Sequence, residues 1–212
     1  MQDFFDVEKF PGKRGIHTWA SAITEMALYA DGVAIDDIYD VLGTQAGQDR
    51  AFAKLDTIKD HVVFWSAGSK PLDLVNSGEV SMSLAYNGRI GGAVLNDGAD
   101  YVTVWDGQVL EEEWLVLLKG APNRAAAMHF LVHASSSQAQ ADQAKWINYG
   151  PMRTSGLDIM QAGEPWFNTG VDIMEHMPNT DEHMSGGILA NPDFWADSGQ
   201  AINDRYAAWM AK

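Results

Sequence analysis

The chain has 212 residues, of which 46% are hydrophobic and eight are tryptophan, so it can form a substantial core and is not expected to be disordered. Its net charge of −15 disfavours binding to nucleic acid or anionic membranes, which require basic surfaces, but is compatible with a cationic ligand. The sequence contains no cysteine, which excludes disulfides and thiolate metal sites, and no apolar run approaches the ~18 residues of a membrane span.

Short helices and strands are predicted to alternate through the first third of the chain. Pro11, Gly12 and Gly15 indicate a loop near the start, and glycine at position 32 predicts the end of the first long helix. The elements predicted here are a short strand or turn at residues 16–17, helices at 22–30, 36–42 and 47–59, a buried strand at 61–65 and a helical turn at 71–76.

Residues 79–85 are predicted to form a strand that ends beside aromatic and polar side chains. Apolar residues alternate with small ones along this stretch, which is the period of a sheet strand. Asn87-Gly88 predicts a turn directly afterwards, because both residue types tolerate positive φ. Tyr86 would then lie at the carboxyl end of the strand, where open α/β sheets bind ligands. A buried strand followed by an ordinary loop is the competing interpretation.

The rest of the chain continues the alternation of strands and helices, which predicts an α/β fold. Tyr149-Gly150-Pro151 interrupts it, and residues 160–192 are expected to be irregular with short helices because glycine and proline are frequent there. The other predicted elements are strands at 101–105 and 114–118, helices at 124–134 and 137–147, and a terminal helix at 194–210 with an apolar stripe of Phe194, Ile202, Tyr206 and Trp209.

Several stretches resemble, in their order, the substrate-binding proteins of bacterial polyamine (spermidine/putrescine-type) ABC transporters. The stretches that carry the resemblance are FFDVEKFPGKRG, ALYADGVAIDDIYDVL, AFAKLD, SGEVSMSLAYNGRI, WLVLLKGAPNRAAAMHFL, NYGP and DFWADSGQAINDRYAAW. Together they extend over nearly the whole chain. The resemblance implies a type II periplasmic-binding-protein fold, in which two α/β lobes enclose a ligand cleft.

The resemblance also implies how the chain is divided between the two lobes. Residues 10–105 and 150–212 would form a largely complete second lobe, and residues 106–149 an incomplete part of the first lobe. The family segment that builds most of the first lobe has no counterpart here, so we expect a fragment, a truncated product or one half of a split protein. The apolar run 114–118 would then be exposed, and a homo-oligomer or swapped dimer could complete the lobe.

The function implied by the resemblance is the binding of a polyamine or similar cationic solute for import by an ABC permease, without enzymatic activity or a cofactor. It implies a periplasmic location, although the N-terminal residues MQDFFDVEKF lack the features of a signal peptide. An interaction or scaffold domain that retained the fold but lost transport is the alternative. Ligand affinity of the chain would distinguish the two.

Glu111, Glu112 and Glu113 form the acidic cluster best suited to ammonium groups, which make strong charge-assisted hydrogen bonds to carboxylates. In an extended segment Glu111 and Glu113 point to one side, and a solvated acidic turn is the alternative. The resemblance places an aspartate of the family at the position of Glu113, and often an acidic or aromatic residue at that of Glu111. The longer glutamate at 113 leaves the length and identity of the ligand open.

Aromatic residues would contact the methylene chain of such a ligand and attract its charge. The resemblance assigns this role to Tyr86, in an aromatic-Asn-Gly motif that includes Asn87. Trp19, in the loop beside His17, is a further ligand-binding candidate, with a packed loop tryptophan as the alternative. Trp65 ends a predicted strand and could line the cleft, although core packing competes with that interpretation.

Other kinds of site have weaker support in the sequence. Imidazoles and thioethers between residues 174 and 184 could bind a transition metal, but their spacing is irregular, so no metal site is predicted. The chain lacks the G-x-S-x-G elbow, the P-loop and the G-x-G-x-x-G pattern, so no catalytic residues are predicted.

Overall fold

A computed structural model describes residues 1–162 and 170–212 of the chain. Short 3-10 helices occur at Ile35–Asp37, Lys59–His61 and Met174–His176. In chain order the other elements are α1 (Gln2–Phe5), β1 (Arg14–His17), α2 (Ile23–Ala30), α3 (Ile38–Leu42), α4 (Gln45–Asp56), β2 (Val62–Trp65), α5 (Lys70–Asn76), β3 (Met82–Ser83), α6 (Asn87–Asp97), β4 (Val109–Leu110), α7 (Arg124–Ala134), α8 (Ser137–Gln143), α9 (Thr154–Gln161), α10 (Asp181–Met184), β5 (Ile188–Leu189) and α11 (Pro192–Met210).

The main sheet is parallel and has the strand order β2-β1-β3. Its register pairs His17, the last residue of β1, with Trp65, the last residue of β2. The third strand ends at Ser83, three residues before Tyr86. Because the strands are parallel, their carboxyl ends meet at one edge of the sheet, and this edge carries all three aromatic residues.

The central strand β1 is completely buried, including Arg14. The guanidinium of Arg14 donates hydrogen bonds to the carbonyl oxygens of Phe4 at 2.9 Å, Gly12 at 2.6 Å and Asp6 at 3.2 Å. A buried cation needs such acceptors, since its desolvation would otherwise be costly. These hydrogen bonds from Arg14 therefore hold the N-terminal segment against the main sheet.

Helices α2, α4 and α11 form the main core around the sheet. α2 ends in a Schellman motif, in which Gly32, at φ +88°, donates to Tyr29 O and the next amide donates to Leu28 O. The fully buried residues of this core include Ile16, Ile23, Leu28, Ile38, Leu42, Leu55, Ile202 and Tyr206. A separate small cluster between α8, α9 and residues 173–177 contains Ala141, Ala144, Met160, Ile173 and Met177.

A second, smaller parallel sheet joins β4 to β5 at the point where the chain leaves this core. Val109 pairs with Ile188, and the side-chain amide of Gln108 donates to the carbonyl oxygens of Pro178 at 2.7 Å and His183 at 3.0 Å. These bonds fix the segment that directly precedes the acidic cluster.

Most helices predicted from the sequence are present, with ends shifted by a few residues. The strand predicted at 79–85 is ladder-paired only at Met82–Ser83, and Asn87-Gly88 begins helix α6 where a turn was expected. The helix expected at 137–147 ends at Gln143 and continues as turns. Part of the stretch expected to be irregular, residues 163–169, lies outside the described residues.

The prediction of strands at residues 101–105 and 114–118 was wrong. Neither run has regular secondary structure, and Val102, Val104, Trp114 and Leu118 are between 62% and 86% exposed. A strand requires a neighbouring ladder, and none of the described residues supplies one for either run. The exposed apolar face expected for 114–118 is present.

Candidate ligand-binding site

A cleft of about 1350 Å³ opens at the carboxyl edge of the main sheet. The chain segments that line it come from β1, β2, the end of β3, the residues after β4 and the stretch after α8. The structure brings together in this cleft all six residues singled out in the sequence, namely Trp19, Trp65, Tyr86, Asn87, Glu111 and Glu113.

One wall of the cleft is an aromatic cluster of His17, Trp19, Trp65 and Tyr86. The rings of His17 and Trp19 are stacked, with centroids 4.2 Å apart and planes at 3°. Trp65 is nearly perpendicular to both, at 5.4 Å from each, and Tyr86 lies edge-on to Trp65 at 6.3 Å. Such a set of rings offers apolar contact to methylene groups and attracts a cation to its faces.

His17 contributes to this wall as a neutral imidazole. Burial lowers its pKa to about 4, so the ring carries no charge at neutral pH. Its Nδ1 lies 2.7 Å from the carbonyl oxygen of Trp19, which can only accept, so Nδ1 carries the proton and donates. A neutral ring here does not repel a cationic ligand. From the sequence, His17 was noted only as a neighbour of Trp19 in the same loop.

Trp65 both lines the cleft and belongs to a core cluster with Leu74 and Val80. It is only 3% exposed, and its indole Nε1 has no hydrogen-bond partner in the described part of the chain. The side chain of Trp65 therefore both packs in the core and lines the cleft, which are the two roles considered for it from the sequence.

The three glutamates follow β4 directly. Glu111 and Glu113 lie on the side of this segment that faces the cleft, and Glu112 lies on the other side. Glu112 does not line the cleft and instead accepts a hydrogen bond from Trp114 Nε1 at 3.2 Å. Loss of hydration raises the pKa of Glu111, and repulsion from Glu113 raises it further, although the side chain remains accessible to water. A cation between the two carboxylates would relieve this repulsion.

Tyr86 lies within the electrostatic reach of these carboxylates. Burial raises the pKa of its phenol first, followed by the charge of Glu111 and smaller contributions from Tyr149 and Glu113. The ring remains 41% exposed, so its surface is available to a ligand. The geometry thus places an aromatic face and two carboxylates beside the same space.

The side chain of Asn87, one of the predicted ligand residues, already makes a hydrogen bond within the protein. Its Nδ2 donates to the carbonyl oxygen of Asn148 at 2.6 Å. Tyr149, which follows, also lines the cleft but was not singled out in the sequence. The sequence feature that could have indicated Tyr149 was the Tyr149-Gly150-Pro151 stretch, which we interpreted only as an interruption of the alternating strands and helices.

The region between residues 174 and 184, where a metal site was considered and not predicted, is held by other contacts. His183 stacks on Trp105 at 4.6 Å, and its Nδ1 lies 2.6 Å from the carbonyl oxygen of Met177. The described residues contain no group of three or more histidine, aspartate or glutamate side chains placed to hold a metal ion. Within the same residues, no helix combines the length and apolarity that crossing a membrane requires.

The fold and the cleft are those of a solute-binding protein. The sequence model of the bacterial extracellular solute-binding protein family matches residues 1–173, and the chain belongs to this family. Its fold is periplasmic-binding-protein-like, and the family and its relatives bind solutes and are not enzymes, as expected from the sequence.

Two of the relatives are named with small organic solutes, gamma-aminobutyric acid and glucopine. The chain is 37% identical over 210 residues to the gamma-aminobutyric acid-binding protein of Pseudomonas aeruginosa, and this match covers 99% of the chain and 57% of the relative. Among solved structures, the binding protein MotA of Agrobacterium tumefaciens in complex with glucopine superimposes with a TM-score of 0.82 at 30% identity, covering 99% of this chain and 62% of that one.

A second solved structure is an ABC transporter substrate-binding protein from Bradyrhizobium japonicum, with a TM-score of 0.81, 35% identity and coverage of 99% of this chain and 62% of that one. The chain therefore spans about three fifths of the length of the relatives it matches. None of these three relatives is named for a polyamine, so they support the solute-binding family expected from the sequence but not its polyamine specificity.

Proposed function

We propose that the chain binds a small solute with a primary ammonium group, as the solute-binding component of an ABC importer. The observation that carries the proposal is the placement of Glu111 and Glu113 beside Tyr86 and the aromatic cluster. An ammonium group would be bound by the carboxylates, while its methylene chain would lie on the aromatic faces. Polyamines and gamma-aminobutyric acid share this chemistry, and both remain candidates.

The proposed transport cycle requires two lobes that close around the solute. On this proposal residues 10–105 and 150–212 form one lobe, and residues 106–149 form part of the other. Closure would bring Glu111 and Glu113 toward the aromatic cluster, and the closed form would be offered to the permease, a population shift of the hinge type. The family description supports a location outside the cytoplasm, and we place the protein in the periplasm.

Calorimetric titration with four compounds tests the proposal. Putrescine, spermidine and gamma-aminobutyric acid carry a primary ammonium group, whereas butyrate has a similar methylene chain without one. We expect at least one of the three amines to bind and butyrate to show no heat of binding. The amine that binds most tightly identifies the solute class. Binding of butyrate, or of none of the four, would contradict the proposal.

Glu113 and its neighbour Glu112 allow a matched pair of variants to be compared in the same titration. Glu113→Gln and Tyr86→Ala should each weaken amine binding about tenfold or more, which corresponds to ~1.4 kcal/mol. Glu112→Gln removes the same charge one residue away, outside the cleft, and should leave the affinity nearly unchanged. An equal loss in Glu112→Gln and Glu113→Gln would indicate a general effect of the net charge and would contradict a specific site.

A further inference from the structure

Two histidines lie four residues apart on the exposed side of α7. His129 and His133 are both exposed, and no residue of this helix is buried. The half-buried residues of α7 are Ala127, Leu131 and Ala134, so this side of the helix faces the rest of the chain. Because residues four apart share one side of a helix, the two imidazoles lie next to each other on the opposite, outward surface.

Both imidazoles are available to bind a ligand. Neither ring makes a hydrogen bond, an ion pair or a ring contact with another residue that the structure describes. One turn before His129, the same side of the helix carries Ala125 and Ala126, which are small and exposed and leave the rings accessible. Two histidines at this spacing on one helix face can hold a single metal ion, as in the H-E-x-x-H zinc motif.

One chain supplies only two of the ligands that such an ion requires. Zn²⁺ in a structural site is bound by four ligands in a tetrahedral arrangement. The described residues contain no group of three or more histidine, aspartate or glutamate side chains placed to hold a metal. A second copy related by a two-fold axis would bring the same histidine pair to the axis, so that four imidazoles surround one ion.

The charge distribution favours a second copy as the partner at this surface. The net charge of −15 means that most surfaces of the chain would repel an identical chain. Residues 114–141 are an exception, because they contain none of the 29 acidic residues and only two basic ones, Lys119 and Arg124. Met128 and Val132, which flank the histidine pair on α7, are 41% and 71% exposed. Two copies can therefore meet here through apolar contacts without repulsion between carboxylates.

We propose that His129 and His133 form half of a transition-metal site, and that one ion such as Zn²⁺ bridges the α7 helices of two copies. Neutral imidazole suits zinc, copper and nickel, whereas Mg²⁺ prefers oxygen ligands. The positive ion also offsets part of the repulsion between two acidic chains. Because all four ligands are present only in the paired form, the metal stabilises the pair by mass action. This site lies outside the amine-binding residues of the cleft and does not depend on them.

Sedimentation velocity and calorimetry with ZnCl₂ test the inference on the chain without an affinity tag, after treatment with EDTA and dialysis. We expect zinc to lower the dissociation constant of self-association about tenfold or more, and to bind at one ion per two chains. MgCl₂ should have no effect. His129→Gln and His133→Gln should each abolish the response to zinc. His61→Gln removes an imidazole from a 3-10 helix elsewhere in the chain and should retain the full response.

The stoichiometry separates a bridging metal from an ordinary surface site. One zinc ion per chain with unchanged sedimentation would show that the pair needs no second copy, and it would overturn the inference. A response that survives in the double variant His129→Gln with His133→Gln, or an equal loss in His61→Gln, would also overturn it, as would a chain that stays monomeric with zinc. Melting temperatures should be unchanged, since both side chains are exposed. Amine binding is measured in EDTA and stands or fails separately.

Discussion

At the scale of single residues, the buried carboxylate of Glu25 forms hydrogen bonds with residues of three helices of the main core. Its carboxylate accepts hydrogen bonds from Trp195 Nε1 at 2.8 Å, Tyr39 OH at 3.1 Å and Thr24 Oγ1 at 3.0 Å. These bonds connect α2 to α3 and α11. Burial nevertheless outweighs them and raises the pKa of Glu25 above its ordinary value of 4.5. The sequence placed Glu25 in a helix but could not indicate that its partners come from distant segments.

The raised pKa of Glu25 predicts a pH-dependent effect of Glu25→Gln. A group with a raised folded-state pKa contributes most to stability below its unfolded-state pKa, and this contribution is lost as the pH rises through the folded-state value. Glutamine keeps an acceptor and does not titrate. The free energy of unfolding of Glu25→Gln, relative to the unsubstituted chain, should therefore increase between about pH 5 and pH 8 in urea titrations.

Glu25→Ala is the control for this experiment. It leaves the Tyr39 hydroxyl and the Trp195 indole without their acceptor, which costs ~1–3 kcal/mol for a buried donor. Alanine should therefore destabilise the chain throughout that pH range. A stability difference for Glu25→Gln that decreases as the pH rises would contradict the assignment.

The neutral state of His17 predicts the pH dependence of solute binding. Since the pKa of His17 is about 4, amine affinity should not change across the ordinary histidine range near pH 6.5. It should decline only at more acidic pH, where Glu111 begins to take up a proton above the ordinary glutamate value of 4.5. Calorimetric titration of putrescine between about pH 5 and pH 8 measures this profile. A step near pH 6.5 that disappears in His17→Gln would refute the neutral assignment.

At the scale of elements, the sequence predicted the helices that carry an apolar stripe and a clear end. α2, α7 and α11 lie close to their expected bounds, because Gly32 and the periodic apolar residues act locally. The beginning of α6 was missed, because Asn87-Gly88 suggested a turn there. Asn148 and Tyr149 pack on Gly88 and Gly91 of this helix, a contact between distant segments that no local pattern reveals. The same limit explains why Tyr149 was not expected at the cleft from the sequence, whereas Tyr86, Trp19 and Glu113, which also line it, were.

Gly47 in α4 offers a test of close packing between elements. A Cβ at this position would lie 1.8 Å from the carbonyl oxygen of Val41 in α3, and Thr44 Oγ1 accepts from the Gly47 amide at 3.0 Å. Gly47→Ala would force the two helices apart, and we expect it to destabilise the chain by ~1–3 kcal/mol or more.

The same substitution at Gly92, where the space is open, should stabilise the chain by up to about 1 kcal/mol through helix propensity. Thermal unfolding followed by circular dichroism would compare the two variants. A Gly47→Ala variant at least as stable as Gly92→Ala would be inconsistent with the close approach of α3 and α4.

At the scale of the whole molecule, the chain exposes an unusual amount of apolar surface between residues 102 and 132. Soluble proteins that expose a large continuous apolar patch commonly use it to bind another polypeptide. We propose that a second copy of the chain covers this surface, in line with the homo-oligomer expected from the sequence. The exposed residues are Val102, Val104, Trp114, Leu115, Val116, Leu118, Met128, Phe130 and Val132.

This surface predicts self-association of the isolated chain. The double variant Leu115→Glu with Leu118→Glu should reduce association in sedimentation velocity experiments over a range of concentrations. It should leave the melting temperature nearly unchanged, because the two side chains are 62% and 74% exposed. Leu189→Glu, at a 54% exposed position in β5, is the control and should associate as the unsubstituted chain does. A chain that remains monomeric at every concentration would contradict the prediction.

The hydrogen bond from Tyr206 OH to the carbonyl oxygen of His17, at 2.9 Å, spans 189 residues of sequence. Together with the bond from the Ala20 amide to Asn203 Oδ1, it ties both ends of the Trp19 loop to α11. During synthesis β1 leaves the ribosome long before α11, so this loop acquires these two supports late. Until α11 has been synthesised, the part of the aromatic wall formed by His17 and Trp19 therefore lacks these two hydrogen bonds, although both residues are already present in the nascent chain.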